Sequence, residues 1–134
     1  MQHDRTKFLL RKRDKMRILI VDDCHQIRNL MNSVITSLGH TVVGQAGDGI
    51  EAVELARQLQ PDVITMDINM PRMNGMEAIR MLEAEGCLSR IIVITGETES
   101  IMAMNAKHVV KCLTKPFSVK DIASTLDHIA RRCS

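Results

Sequence analysis

Five polar residues each close an apolar run. Asp22 and Asp23 follow Ile18-Leu19-Ile20-Val21, Asp67 follows Val63-Ile64-Thr65-Met66, Thr95 follows Ile91-Ile92-Val93-Ile94, and Lys115 comes just after Val109 to Leu113. Short apolar runs of this kind suit parallel strands buried on both faces, and open α/β sheets bind ligands beyond the carboxyl ends of their strands. Where the first and third strands are neighbours at a switch point, three carboxylates meet. Two unit charges about 4 Å apart cost on the order of 4 kcal/mol at an effective dielectric near 20, which a proton or a bound cation must offset. All-oxygen ligands with a partly open shell suit Mg2+. With Lys115 and Thr95 facing the same crevice, the site holds a nucleophile, a metal, an ammonium and a hydroxyl. That set fits phosphoryl transfer: the metal and the lysine neutralise the oxygens of the transferring group, the hydroxyl exchanges one hydrogen bond, and ionised Asp67 attacks in line without a general base.

The elements that must position these residues alternate. The first strand ends at Asp22-Asp23, and Ile27, Leu30, Met31, Val34, Ile35 and Leu38 recur at helical spacing before Gly39, a C-terminal cap. Thr41 to Val43 reads as the second strand, with Gly44-Gln45-Ala46-Gly47-Asp48-Gly49 as its turn. That turn is structural, because its glycines do not follow the G-x-G-x-x-G order and no P-loop lysine follows. Ile50, Val53, Leu55, Ala56 and Leu59 give a second helix that ends before Pro61, and Val63 to Met66 is the third strand. Pro71 and Gly75 force an irregular turn after Asp67. Met76, Ile79, Met81 and Leu82 make a third helix closed by Gly86, and the fourth strand ends at Thr95-Gly96. Glu99 to Ala106 supports only a short helix, Lys111 weakens the fifth strand, and Ser118 caps a last helix whose Ile122, Leu126 and Ile129 face the core. Five strands alternating with helices imply a doubly wound parallel α/β sheet with right-handed crossovers.

A chain of 134 residues suits one domain with a full core. Residues 1–15 carry six Lys or Arg against two Asp, a charge of +4 that leaves −2 for residues 16–134. We therefore separate a basic N-terminal arm, 1–15, from a domain, 16–134. The arm, with Phe8-Leu9-Leu10 among its cations, is either a short helix that touches a partner or an anionic surface, or a frayed tail. Met16 is itself a plausible initiator. The chain has no Trp or Tyr to stack on single-stranded nucleic acid, and DNA is not an expected ligand. No apolar run approaches the roughly 18 residues of a membrane span, so a cytoplasmic location is expected. Cys24, Cys87, Cys112 and Cys133 form no C-x-x-C pair and are read as reduced thiols. His3, His25, His40, His108 and His128 show no metal-ligand spacing and are read as surface residues, His25 being at most a gate on the site.

From about Met16 to Ser134 the chain resembles the receiver domains of two-component response regulators. The resemblance rests on Val21-Asp22-Asp23, the stretch Met66-Asp67-Ile68-Asn69-Met70-Pro71-Arg72-Met73-Asn74-Gly75, Thr95, and Leu113-Thr114-Lys115-Pro116-Phe117. It implies a flavodoxin-like (βα)5 fold with strand order 2-1-3-4-5, which is one of the common doubly wound orders. It also implies that Asp67 accepts a phosphoryl group from a sensor histidine kinase or a phosphotransfer protein. Asp23, Asp67 and the backbone carbonyl of Asn69 would ligate Mg2+, with Asp22 acting through water. Lys115 would pair with the phosphoryl group, and Thr95 would swing toward it as the switch. An amide at Asn69 and an acid at Glu97, with small Gly96 between Thr95 and Glu97, imply a short-lived aspartyl phosphate.

The chain departs from the family where most members carry Tyr, Phe or His three residues before the lysine. Here that residue is Cys112, so the usual aromatic relay is absent. The segment between Thr95 and Lys115 is also short, which predicts an abbreviated or loose fourth helix. Signalling then runs through a remodelled fourth helix, with Met102 and Met104 as core or as adaptable contacts, or the domain only shuttles phosphoryl groups. Three functions are weighed. The first is a stand-alone receiver, not a turnover enzyme, that binds an unknown downstream protein when phosphorylated. The second is a haloacid-dehalogenase-type phosphatase, which needs an acid where this chain has Asn69. The third is a scaffold that is never phosphorylated.

Overall fold

The computed structural model describes residues 14–96 and 106–133. Its elements are β1 (Arg17–Val21), α1 (His25–Ser37), β2 (Thr41–Ala46), α2 (Gly49–Leu59), β3 (Val63–Asp67), α3 (Gly75–Ala84), β4 (Arg90–Thr95), β5 (Val109–Thr114) and α4 (Val119–Cys133). The five strands form one sheet in the order β2-β1-β3-β4-β5. Every pairing is parallel. The expected architecture and strand order are therefore present. The expected short fourth helix, with Met102, Met104 and Glu97, lies outside the described residues, as does the arm up to residue 13. Asp14, assigned to the arm, is already buried.

Alternation along the strands divides the core in two, because successive side chains point to opposite faces. Leu19, Val21, Ile64, Met66, Ile91 and Val93 meet Ala52, Val53, Ala56, Ala78, Ile79 and Leu82 of α2 and α3. Ile18, Ile20, Val63, Ile92 and Ile94 meet Met31 and Ile35 of α1 and Ile122, Leu126 and Ile129 of α4. Helix α4 starts as expected at Ser118, whose Oγ accepts from the Asp121 N–H at 3.1 Å, while Asp121 accepts from the Ser118 N–H at 3.0 Å. Helix α3 starts with the same reciprocal arrangement between Asn74 and Glu77.

Several expectations change. β2 runs on through Gly44 and Gln45 to Ala46, so the turn is shorter than expected. A Cβ at Gly44 would lie 3.0 Å from Leu59 and 3.4 Å from Leu19, so the missing side chain makes room for the packing of α2 on the sheet. Leu30, Ile50 and Met81 fit the helical periodicity but are exposed. His40 is buried rather than on the surface, and its Nδ1 accepts the Met16 N–H at 3.0 Å. Burial pushes its pKa down, against the opposing charge of Asp127. Among the described residues no helix is long and apolar enough to cross a membrane.

Candidate functional site

Register levels the carboxyl ends of the strands. Val21 pairs with Met66, Asp67 with Ile94, and Thr95 with Thr114, so the residues just beyond β1 and β5 stand beside the ends of β3 and β4. Asp22, Asp23 and Asp67 consequently converge, with one oxygen of each within 4.8 Å of the others. Asp22 and Asp67 are buried and Asp23 is exposed. Lys115 places its Nζ 3.4 Å from Asp67 Oδ1 and 3.5 Å from Asp22 Oδ2. Its backbone N–H donates to the Thr95 carbonyl at 2.8 Å, which ties the end of β4 to the lysine. Thr95 itself is buried. Asn69 sits two residues beyond Asp67 on the exposed start of the turn to α3.

Asp22 is held in place from two sides. Its Oδ1 accepts from the Cys24 N–H at 2.9 Å, and its carbonyl accepts from Arg28 at 2.6 Å. The residue after Asp67 anchors the turn: the Gly75 N–H donates to the Ile68 carbonyl at 2.9 Å, folding the turn back on the end of β3.

Positive charge is short at this site. Burial, then the charges of Asp22 and Asp23, push Asp67 up to about 6, and Lys115 pulls it down only in part. Burial works to lower the Lys115 pKa, but Asp67 and Asp22 outweigh it and raise the value, so the ammonium persists. Three carboxylates against one ammonium leave two negative charges when all are ionised, the charge that a divalent cation neutralises. The donors are all carboxylate oxygens, one of them exposed, which fits a hard cation with part of its shell open. The cluster is thus compatible with Mg2+.

Thiol chemistry is not indicated. Cys112 is half-buried, and burial pushes its thiol up against the opposing charge of Lys111. His25 lies at the start of α1 within reach of Arg28 (3.3 Å) and Asn29 (3.2 Å).

Sequence reasoning overlooked a tie between the turn after β3 and the start of α2. Asp48 is buried at the N-terminus of α2, where Oδ1 accepts from the Glu51 N–H at 2.9 Å and Oδ2 pairs with Arg72. The D-x-x-E spacing of Asp48 and Glu51 is a helix-start signature and could have revealed the cap. Nothing in the sequence pointed to Arg72.

The model of a response regulator receiver domain matches residues 18–127. The chain is 37% identical over 117 residues to the chemotaxis protein CheY of Thermotoga maritima, covering 86% of this chain and 98% of that one. In structure it is similar to the response regulator domain of Thermotoga maritima CheB, with a TM-score of 0.76 at 36% identity over 89% of this chain and 96% of the other. It is also similar to a chain of the CheX-CheY-BeF3-Mg2+ complex of Borrelia burgdorferi, with a TM-score of 0.76 at 25% identity over 84% and 87%. The acid cluster at the switch point, the lysine beside it and these matches lead to one conclusion: the chain belongs to the response regulator receiver domain family of two-component signalling.

Proposed function

We propose that this chain is a cytoplasmic phosphoacceptor that takes a phosphoryl group onto Asp67 from a sensor histidine kinase or a phosphotransfer protein. In the phosphorylated state it binds a downstream protein. The observation that carries this reading is the convergence of three carboxylates within 4.8 Å and a lysine 3.4 Å from the central one. Asp22, Asp23, Asp67 and the Asn69 carbonyl would hold Mg2+, which when bound would neutralise oxygens of the acid cluster and of the incoming phosphoryl group.

The chain's own residues supply the rest. Above its pKa of about 6, Asp67 is an ionised nucleophile. One Asp67 oxygen bonds to phosphorus as the phosphorus–nitrogen bond to the donor histidine breaks, and the histidine keeps the electron pair. Lys115 offers its ammonium to the transferred oxygens, and Thr95 is the hydroxyl that closes on them, biasing the domain between two states. This is signalling rather than turnover, and the proposed unit is residues 16–134. Asn69, an amide, leaves no acid to protonate a leaving group, which counts against the phosphatase reading.

The test is intact-protein mass after incubation with acetyl phosphate. A Mg2+-dependent gain of one phosphoryl group supports the reading. No gain by a folded protein that also fails to bind beryllium fluoride sinks it.

The lifetime of the phosphate follows from the mouth of the site. Asn69 is small and exposed and Gly96 has no side chain, so neither residue shields the phosphate from water. Asn69→Arg should cover that mouth and lengthen the life of the phosphate several-fold in a timed mass assay. An unchanged or shorter life would count against it.

A further inference from the structure

The turn from β3 to α3 is pinned to a neighbouring helix. Its last residues meet the start of α2, where the Gly49 N–H donates to the Met73 carbonyl at 2.8 Å. A Cβ at Gly49 would stand 2.5 Å from that carbonyl oxygen, so the two backbones are in close approach. Beside this contact Arg72 reaches across to Asp48. The pair is lopsided: the Arg72 side chain is 70% exposed and that of Asp48 is 4% exposed. Arg72 also has φ 65, a left-handed conformation that a non-glycine residue adopts only where surrounding contacts hold it.

We infer that Arg72 is a positioning residue for the cation: its ion pair with Asp48 holds the β3–α3 turn against α2 and so keeps the Asn69 carbonyl aimed at the acid cluster. The inference rests on the proposed role of that carbonyl as a ligand. Two residues, Met70 and Pro71, separate ligand from latch, and the turn between them is irregular. Without the latch, the turn keeps the Gly49–Met73 hydrogen bond and the packing of Met70 and Met73 on the core, but it loses its ion pair to α2 and gains freedom that cation binding must remove.

The sign of the effect separates this role from plain electrostatics. Arg72 is a cation, so any effect of removing its charge alone would be to tighten the binding of a divalent ion. Loosening the turn weakens it. The experiment is calorimetric titration of Mg2+ into wild type, Arg72→Ala and Arg72→Lys at pH 8, with circular dichroism as the check on folding. Arg72→Ala is expected to bind roughly tenfold more weakly, within the range for residues that orient metal ligands. Arg72→Lys, which keeps the charge and much of the reach, is expected to recover most of the affinity. Should Arg72→Ala fail to fold, Arg72→Met, which removes the charge and keeps an apolar stem, gives the same comparison. Wild-type binding with an unchanged or tighter constant in the variant overturns the latch and leaves the proposed cation site standing. Absence of Mg2+ binding in wild type overturns both.

Discussion

Gly75→Ala is expected to cost on the order of 3 kcal/mol of stability or more, at the upper end for overpacked sites, and to disable the acid cluster. A Cβ at residue 75 would lie 2.2 Å from the Asp67 carbonyl oxygen and 2.9 Å from the Ile68 Cα. Both are backbone atoms, so no flexible side chain can give way. Alanine would otherwise favour the start of α3 by up to about 1 kcal/mol through helix propensity, too little to offset such a contact. Relief requires α3 to move away from β3, which breaks the Gly75 N–H bond to the Ile68 carbonyl, or the end of β3 to shift. Either way the Asp67 carboxylate moves relative to Lys115, and a misplacement of about 1 Å can cost roughly 100-fold in rate. Gly96→Ala is the control for stability, because among the described residues its Cβ would meet nothing within 4 Å. Urea unfolding and the rate of acetyl phosphate labelling read the two consequences separately. A Gly75→Ala protein with wild-type midpoint and rate would show that the backbone here yields freely.

That contact illustrates what could and could not be read from the chain. The apolar runs of β1, β3 and β4 are continuous, and each polar residue of the site follows the end of such a run or lies at it. In a parallel sheet those ends share one edge, so the meeting of Asp22, Asp67 and Lys115 was legible from local pattern once the strand order came with the family resemblance. Contacts between distant segments were not. Gly44 and Gln45 look like turn residues, yet Gly44 is strand because Leu59 and Leu19 need the space of its side chain. His40 follows a helix cap with no periodic signal, and it is buried where its Nδ1 accepts the Met16 N–H. Leu30 lies on the periodic stripe of α1 but outside the part that the sheet and α4 cover. Arg72 and Asp48 are joined across the fold by an ion pair whose charged partner looks, in sequence, like any surface arginine.

The second large effect is a pH dependence of unusual sign for a carboxylate. Asp67 is pushed from 3.8 up to about 6, by burial first and then by Asp22. A raised folded pKa means that the native state favours the protonated form. The stability this gives is fully present below 3.8 and is lost as pH rises through about 6. Across the whole window the shift amounts to about 3 kcal/mol, of which about 1 kcal/mol falls between pH 5 and 7.5. His40 titrates in the same window with the opposite sign. Its lowered folded pKa, caused by burial, makes stability fall as pH drops through its ordinary 6.5. A wild-type curve alone would therefore mix the two, and the difference between wild type and Asp67→Asn isolates the carboxylate. In EDTA the variant should be the more stable protein at pH 7.5, and its advantage should shrink by about 1 kcal/mol on going to pH 5. Mg2+ at about 100 times its dissociation constant should then stabilise wild type by roughly 2.7 kcal/mol and the variant by less, closing the gap from the other side. Thermal melts at the two pH values, with and without Mg2+, give all the quantities required. Parallel curves for wild type and variant in EDTA would mean that Asp67 is not held under the charge strain that makes this site a seat for a cation.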